Sequence, residues 1–185
     1  VKALTLKQPW AWAIAHAGKD IENRDWDQRT AELMGLHELV GQVIAIHGGA
    51  APVRGKNQGW RYLTSSIADI HARLGGELPD AAALNLAQRA GGEKLHAQHF
   101  ITPGIVAVAC IAGVTRASRS VWASEGALHI QLSETIALPR PVQCRGAQGF
   151  WWVDEATEAE VQRQYRSAID ARPPQYGHLT SQDWL

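Results

Sequence analysis

Three residues set close together carry the strongest chemical signal in the chain: Lys19, Glu22 and Arg24. They follow the apolar run PWAWAIAHAG, Pro9–Gly18, and enter an extended stretch. On a regular strand Glu22 and Arg24 share a face and Lys19 points away. Lys19 joins them only if the turn after Gly18 rotates it, which a glycine permits. A carboxylate held between two cations can orient them toward a phosphate and can itself accept from a base amino group. The same trio also suits an ion-pair network that pins a helix to a sheet. In a desolvated cleft Lys19 is the candidate lysine of lowered pKa for amide hydrolysis, and Glu22 is a candidate general base.

Other candidates stand nearby. Lys7 and Gln8 precede the helix, where exposed N–H groups attract anions. Trp10 and Trp12 are two apart and face different sides; Trp10, in the first turn, is the better candidate for a cleft wall. His47 ends a strand beside Gly48-Gly49, where an imidazole can reach a ligand and transfer protons near neutrality. Arg145 adjoins Gly146, so its backbone can approach a phosphate closely. The segment Pro103–Val153 holds Arg116, Arg119, Arg140 and Arg145 against only Glu125 and Glu134, a modest basic bias. Trp122, after Ser118–Ser120, is a candidate stacking lid. His96 and His99 are spaced to share a metal but lack a third ligand in register.

Elements must hold these groups in place. Ala3–Lys7 alternates as a short strand, and Pro9 sits where a first helical residue belongs, opening a helix to Ala17. That helix is apolar almost all round and should be buried on most sides. Gly18 ends it. Gly41–His47 reads as a strand. Ile105–Val114 is nearly continuous and β-rich, a central strand. Leu128–Leu132 and Glu134–Leu138 suggest two more, and Pro139, Pro141 and Gly146 punctuate the turn that follows. Gln148–Val153 closes the β part. Asp154 caps a last helix to about Ile169, with Val161, Tyr165, Ala168 and Ile169 on one face. Between the strands, residues about 52–102 read as a helical insertion: Gln58–Leu74 and Pro79–Ala90 are its helices. The expected organisation is one domain over 1–170 and a tail over 171–185, with a sheet that survives removal of the insertion.

Composition bounds the function. Eighteen Lys+Arg balance eighteen Asp+Glu across 185 residues, which argues against a protein that coats nucleic acid by bulk charge but leaves room for a local basic cleft. Hydrophobic residues at 45% suffice for a core. Two cysteines, Cys110 and Cys144, are too few for a disulfide framework and are expected as buried thiols. The longest apolar runs reach about half a membrane span, and no basic n-region precedes an apolar stretch. A soluble cytoplasmic protein that engages no membrane is the expectation. Most of the eight tryptophans are expected in the core, but Trp is also the best stacking surface for a base.

The stretch LTLKQPWAWAIAHAGKDIENRDW, Leu4–Trp26, resembles the ASCH (activating signal cointegrator homology) domain family. That family carries a QPWA-like helix start and a G-x-K-x-x-E-x-R type signature, here tightened to Gly18-Lys19-Asp20-Ile21-Glu22-Asn23-Arg24. VIAIHGG (Val43–Gly49) and PVQCRGAQGFW (Pro141–Trp151) are similar to two further family blocks, in the same order. The resemblance implies an α+β, mainly β fold: a PUA-like β-barrel with flanking helices, carrying here the helical insertion, and a cleft between barrel and helices. It implies RNA, a nucleotide or a nucleoside as partner. Some members of the family are ribonucleases, and others hydrolyse the acetyl amide of acetylated cytidine with a lysine, a threonine and a glutamate. Lys19 stands at that lysine, and Glu22 occupies the threonine position.

The reading that follows is an RNA- or nucleotide-binding protein recognising single-stranded or modified RNA, with Lys7, Gln8, Trp10, Lys19, Glu22, Arg24 and Arg145 as contacts. The alternative is a hydrolase acting on RNA or a modified nucleoside through Lys19, Glu22 and His47. A third is a protein-interaction module using the insertion helices. The residues point to no certain cofactor, and a divalent cation such as magnesium is the one candidate.

Overall fold

The computed structural model describes residues 1–55 and 57–171. The expected tail, apart from Ala171, lies outside the described residues. The fold is α+β, built on one curled six-stranded sheet. In chain order the elements are β1 (Lys2–Leu6), α1 (Trp10–His16), β2 (Ile21–Arg24), α2 (Gln28–Leu33), β3 (Val43–Gly48), α3 (Gln58–Arg73), α4 (Asp80–Ala90), β4 (Gly104–Thr115), β5 (Leu128–Val142), β6 (Phe150–Trp152) and α5 (Glu155–Asp170). The strands lie in the order β2-β5-β4-β3-β1-β6, a half-barrel whose outer strands do not meet. Among the described strands only β1 and β3 run parallel, with Leu4 beside Ile46 and Leu6 beside Gly48; the other pairs are antiparallel.

Alternation along the strands separates two faces. Leu4, Leu6, Ile44 and Ile46 turn to one side and pack with Ala11 and Ile14 of α1 and Ala31 of α2. Ala3, Ala45 and Val108 turn to the other and meet Val161 and Tyr165 of α5. The α5 helix starts at Asp154, whose carboxylate accepts from the Thr157 N–H at 3.0 Å. The opposite side of α1 is also covered. Trp12, Ala13 and Ala17 pack with Ile70 of α3, Ala82 and Leu86 of α4, and Phe100. A helix apolar all round is thus sandwiched between the sheet and the insertion.

The insertion springs from the β3–β4 hairpin, where Gly48 pairs with Gly104. Its helices fall close to the stretches anticipated from periodicity. Trp12 is fully buried beneath it; the indole N–H donates to Asn85 Oδ1 at 2.9 Å, and Phe100 packs edge-on at 4.8 Å.

Several local features differ from expectation. Pro9 precedes the first helical residue, and α1 is only seven residues long. Leu128–Val142 is one strand, not two. Glu134 takes a left-handed φ of 52°, and shifts in pairing with β4 absorb the irregularity. Pro139 and Pro141 lie beyond the stretch of β5 that pairs with β2, so their missing N–H groups cost no ladder bond there. Trp122 is 3% exposed within the core beside α1 and is no lid. Cys110 and Cys144 are free and half-buried, and burial raises both thiol pKa values.

Candidate functional site

One cleft of about 1330 Å³ opens where parallel strands β1 and β3 end. Strand β2 and the segment after it form the floor, the loop 144–149 one side, and α3 of the insertion the other. Lys7, Gln8, Trp10, Lys19, Glu22, Arg24, His47 and Arg145 all line it. Residues spread over more than 130 positions therefore converge on one concavity.

The floor is built by a turn. Ala17 closes α1, and Gly18 takes φ +71°, a conformation that side chains rarely adopt. The next N–H, of Lys19, returns to the Ala13 carbonyl at 3.2 Å. This swings Lys19 onto the face shared by Glu22 and Arg24. Lys19 Nζ lies 3.3 Å from Glu22 Oε2 and also donates to the Ile21 carbonyl. Arg24 Nε lies 3.1 Å from Glu22 Oε1, and Arg24 Nη2 donates to the Thr5 carbonyl at 2.8 Å. Each cation rests on an aromatic ring: Lys19 Nζ is 5.6 Å from the Trp10 ring centre, and the Arg24 guanidinium carbon is 5.4 Å from that of Trp26. Lys19 is 3% exposed and Glu22 7%. Burial pulls the Lys19 pKa below the ordinary lysine value, and the adjoining Glu22 carboxylate offsets part of that.

Two sequence candidates are braces in this geometry. Gln8 donates from Nε2 to the Gly49 carbonyl at 2.7 Å and accepts the Thr102 N–H at 3.1 Å, so its amide ties β3 to the end of the insertion. His47 is 3% exposed, with both ring nitrogens engaged. A carbonyl only accepts, so Nε2 carries the proton and donates to Cys144 O at 3.4 Å. Nδ1 then accepts the Thr5 hydroxyl at 3.2 Å, and Thr5 Oγ1 in turn accepts the Trp151 indole N–H at 3.0 Å. Burial lowers the His47 pKa, which suits this neutral, fixed imidazole. Gly146 packs against the same ring: a Cβ there would sit 2.4 Å from His47 Cε1 and 2.9 Å from Thr5 Oγ1. Gly146→Ala is expected to displace the loop 144–149 and cost about 1–3 kcal/mol, read from the urea midpoint.

The rim carries the uncommitted charge. Arg145 is exposed and has no hydrogen-bond or ion-pair partner among the described residues. Lys7 is exposed, and its ammonium lies 5.2 Å from the Tyr62 ring centre. At the expected anion site before α1, the helix is seven residues long and both ends of the Gln8 amide are engaged by Gly49 and Thr102.

Trp26, Tyr62, Asp25 and Asp69 also line the cleft, although the sequence reading did not assign them to it. Trp10 Nε1 donates to the Tyr62 hydroxyl at 2.9 Å, a bond that joins the two walls. Tyr62 lies beside Leu63 on α3, off the apolar stripe, and nothing local marks its role. Trp26 had a usable signal, an aromatic two residues after Arg24. Among the described residues no group of three or more His, Cys, Asp or Glu side chains is placed to hold a metal ion. No described helix is long and apolar enough to cross a membrane. Compared with known families and with curated proteins, the chain matches no family model and no curated sequence.

Proposed function

We propose that this chain is an RNA- or nucleotide-binding protein of the ASCH type, with a PUA-like architecture, that takes single-stranded or modified RNA into the cleft between sheet and helices. The observation that carries this reading is the convergence of the Lys19–Glu22–Arg24 trio, the aromatic walls Trp10 and Trp26, and the rim cations Lys7 and Arg145 on one concavity. Its volume of about 1330 Å³ exceeds the roughly 300–1,000 Å³ of ordinary small-molecule sites, which leaves room for a nucleotide with its neighbours. Aromatic faces stack bases without regard to sequence, and flexible rim cations follow a phosphate chain. The curled sheet with helices packed on both faces supports the PUA-like assignment.

With four cations against three carboxylates around the cleft, binding is modest and its salt dependence shallow. Arg145→Ala and Lys7→Ala should each weaken binding of a labelled single-stranded RNA hexamer and flatten the log–log salt slope by about 0.7. Fluorescence anisotropy between low and moderate salt reads both effects. Unchanged affinity and slope in both variants would remove the phosphate-contacting role of the rim.

One observation favours hydrolysis as a second reading: a buried lysine of lowered pKa touches a carboxylate inside the cleft. Lys19 and Glu22 would then serve as the reactive pair, with His47 as a brace. Incubating the protein with RNA oligonucleotides and with acetylated cytidine, with and without magnesium, tests this. Product formation that Glu22→Gln abolishes makes the chain an enzyme, and intact substrates leave it a binder.

A further inference from the structure

Two cations flank one carboxylate, so the trio on the cleft floor retains positive charge after pairing internally. A purely structural ion pair needs only one cation. The spare hydrogen-bonding capacity can be counted. Lys19 uses one N–H on the Ile21 carbonyl and one on Glu22, leaving a third. Arg24 spends one Nη2 N–H on the Thr5 carbonyl; its Nε lies 3.1 Å from Glu22 Oε1 as an ion pair without a hydrogen bond, so Nη1 and the second Nη2 N–H remain to donate. Each Glu22 oxygen meets one cation and keeps a further lone pair. Along the floor the order of available groups is donor, acceptor, donor.

Resting on the nucleotide-binding reading above, we propose that this array selects the cyclic-imide edge shared by uracil and thymine. That edge presents carbonyl, N–H, carbonyl: acceptor, donor, acceptor. The ring N–H meets Glu22, and the two carbonyls meet Lys19 and Arg24. Other bases mismatch at a definable point. Cytosine and adenine turn a ring-nitrogen lone pair toward the carboxylate. Guanine matches at its ring N–H but points its exocyclic amine at a cation. Trp10 and Trp26, already in contact with Lys19 and Arg24, hold both donors in position before a base arrives. A buried array built for an N–H rejects a base that lacks it strongly, because the partner groups stay unpaired in a site of low dielectric.

The test titrates the full chain with the 5′-monophosphates of uridine, thymidine, cytidine, guanosine and 3-methyluridine, followed by calorimetry. Uridine and thymidine monophosphates should bind about tenfold or more tightly than the cytidine and guanosine compounds. Methylation at N3 should remove the preference, a result that requires no altered protein. Glu22→Gln replaces one acceptor with a donor and should bring uridine and cytidine monophosphates to similar affinity. Tighter or equal binding of cytidine or guanosine monophosphate, or indifference to N3 methylation, overturns the imide assignment while leaving a nucleotide site. Binding of none of the five overturns the assignment together with the reading beneath it.

Discussion

Glu22→Ala should lose about 3–5 kcal/mol of stability and all measurable single-stranded RNA binding. The reason is the company Glu22 keeps. Lys19 Nζ at 3.3 Å and Arg24 Nε at 3.1 Å both depend on its carboxylate, and Lys19 is 3% exposed. Removing one member of a buried set leaves the remaining charge unpaired, and that penalty exceeds the pair's net worth. The stability loss should also depend on pH. Burial lowers the Lys19 pKa, and Glu22 works against that shift. Without Glu22 the folded-state pKa falls further below the unfolded one. The unfolded chain then binds more protons, so stability rises with pH between the folded value and the ordinary lysine range. The deficit of the variant should therefore shrink on the alkaline side. Urea unfolding at neutral and alkaline pH measures it; a deficit that is small and constant with pH would mean that the trio is solvated and makes no buried network.

Excising residues 52–102 and joining the cut ends should abolish cooperative folding. Topology alone argues otherwise. Gly48 and Gly104 are paired neighbours, so a short turn can span the gap and leave every strand in place. Packing decides the matter. The excised part includes Ile70, Ala82, Leu86 and Phe100, which cover Trp12, Ala13, Ala17 and Ile21. A tryptophan buries roughly 150–250 Å², so uncovering Trp12 alone costs about 4–6 kcal/mol at roughly 25 cal/mol per Å². A whole domain is stable by only about 5–15 kcal/mol. Broad thermal unfolding and strong binding of a hydrophobic dye are the expected signs. A sharp transition in the shortened chain would show that the sheet and α5 suffice on their own.

How much was legible in the residues follows from the physics of each signal. The long strand β4, the apolar helix α1 and the capped helix α5 could all be read, because burial on two faces, burial all round and an Asp cap leave plain marks. Helix α2 left only its cap, Asp27, whose carboxylate accepts from the Thr30 N–H at 2.8 Å; of its six residues only Ala31 is buried, so no periodicity accompanies that cap. Strand β5 was read as two, Leu128–Leu132 and Glu134–Leu138, with Pro139 and Pro141 in the following turn, yet Glu134 and both prolines lie within one strand. They are tolerated because the strand shifts register at one point and has no β2 partner at the other. In the site, the rotation of Lys19 onto the Glu22 face was foreseeable from Gly18. The brace roles of Gln8 and His47 were not, since their partners Gly49, Thr102, Thr5 and Cys144 come from separate parts of the chain. Tyr62 was hidden for the same reason: its partner Trp10 lies 52 positions away.

The hydrogen bond from Trp10 to Tyr62 spans a seam between two separately encoded surfaces. The groups on the floor belong to the first two dozen residues, whereas the opposing wall hangs from a hairpin whose ends already touch. What is recognised and what is admitted are thus written in different places. Substitutions in α3 that spare its contacts with Trp12 can reshape the doorway, admitting a longer strand or excluding a bulkier one, while the reading head stays as it is.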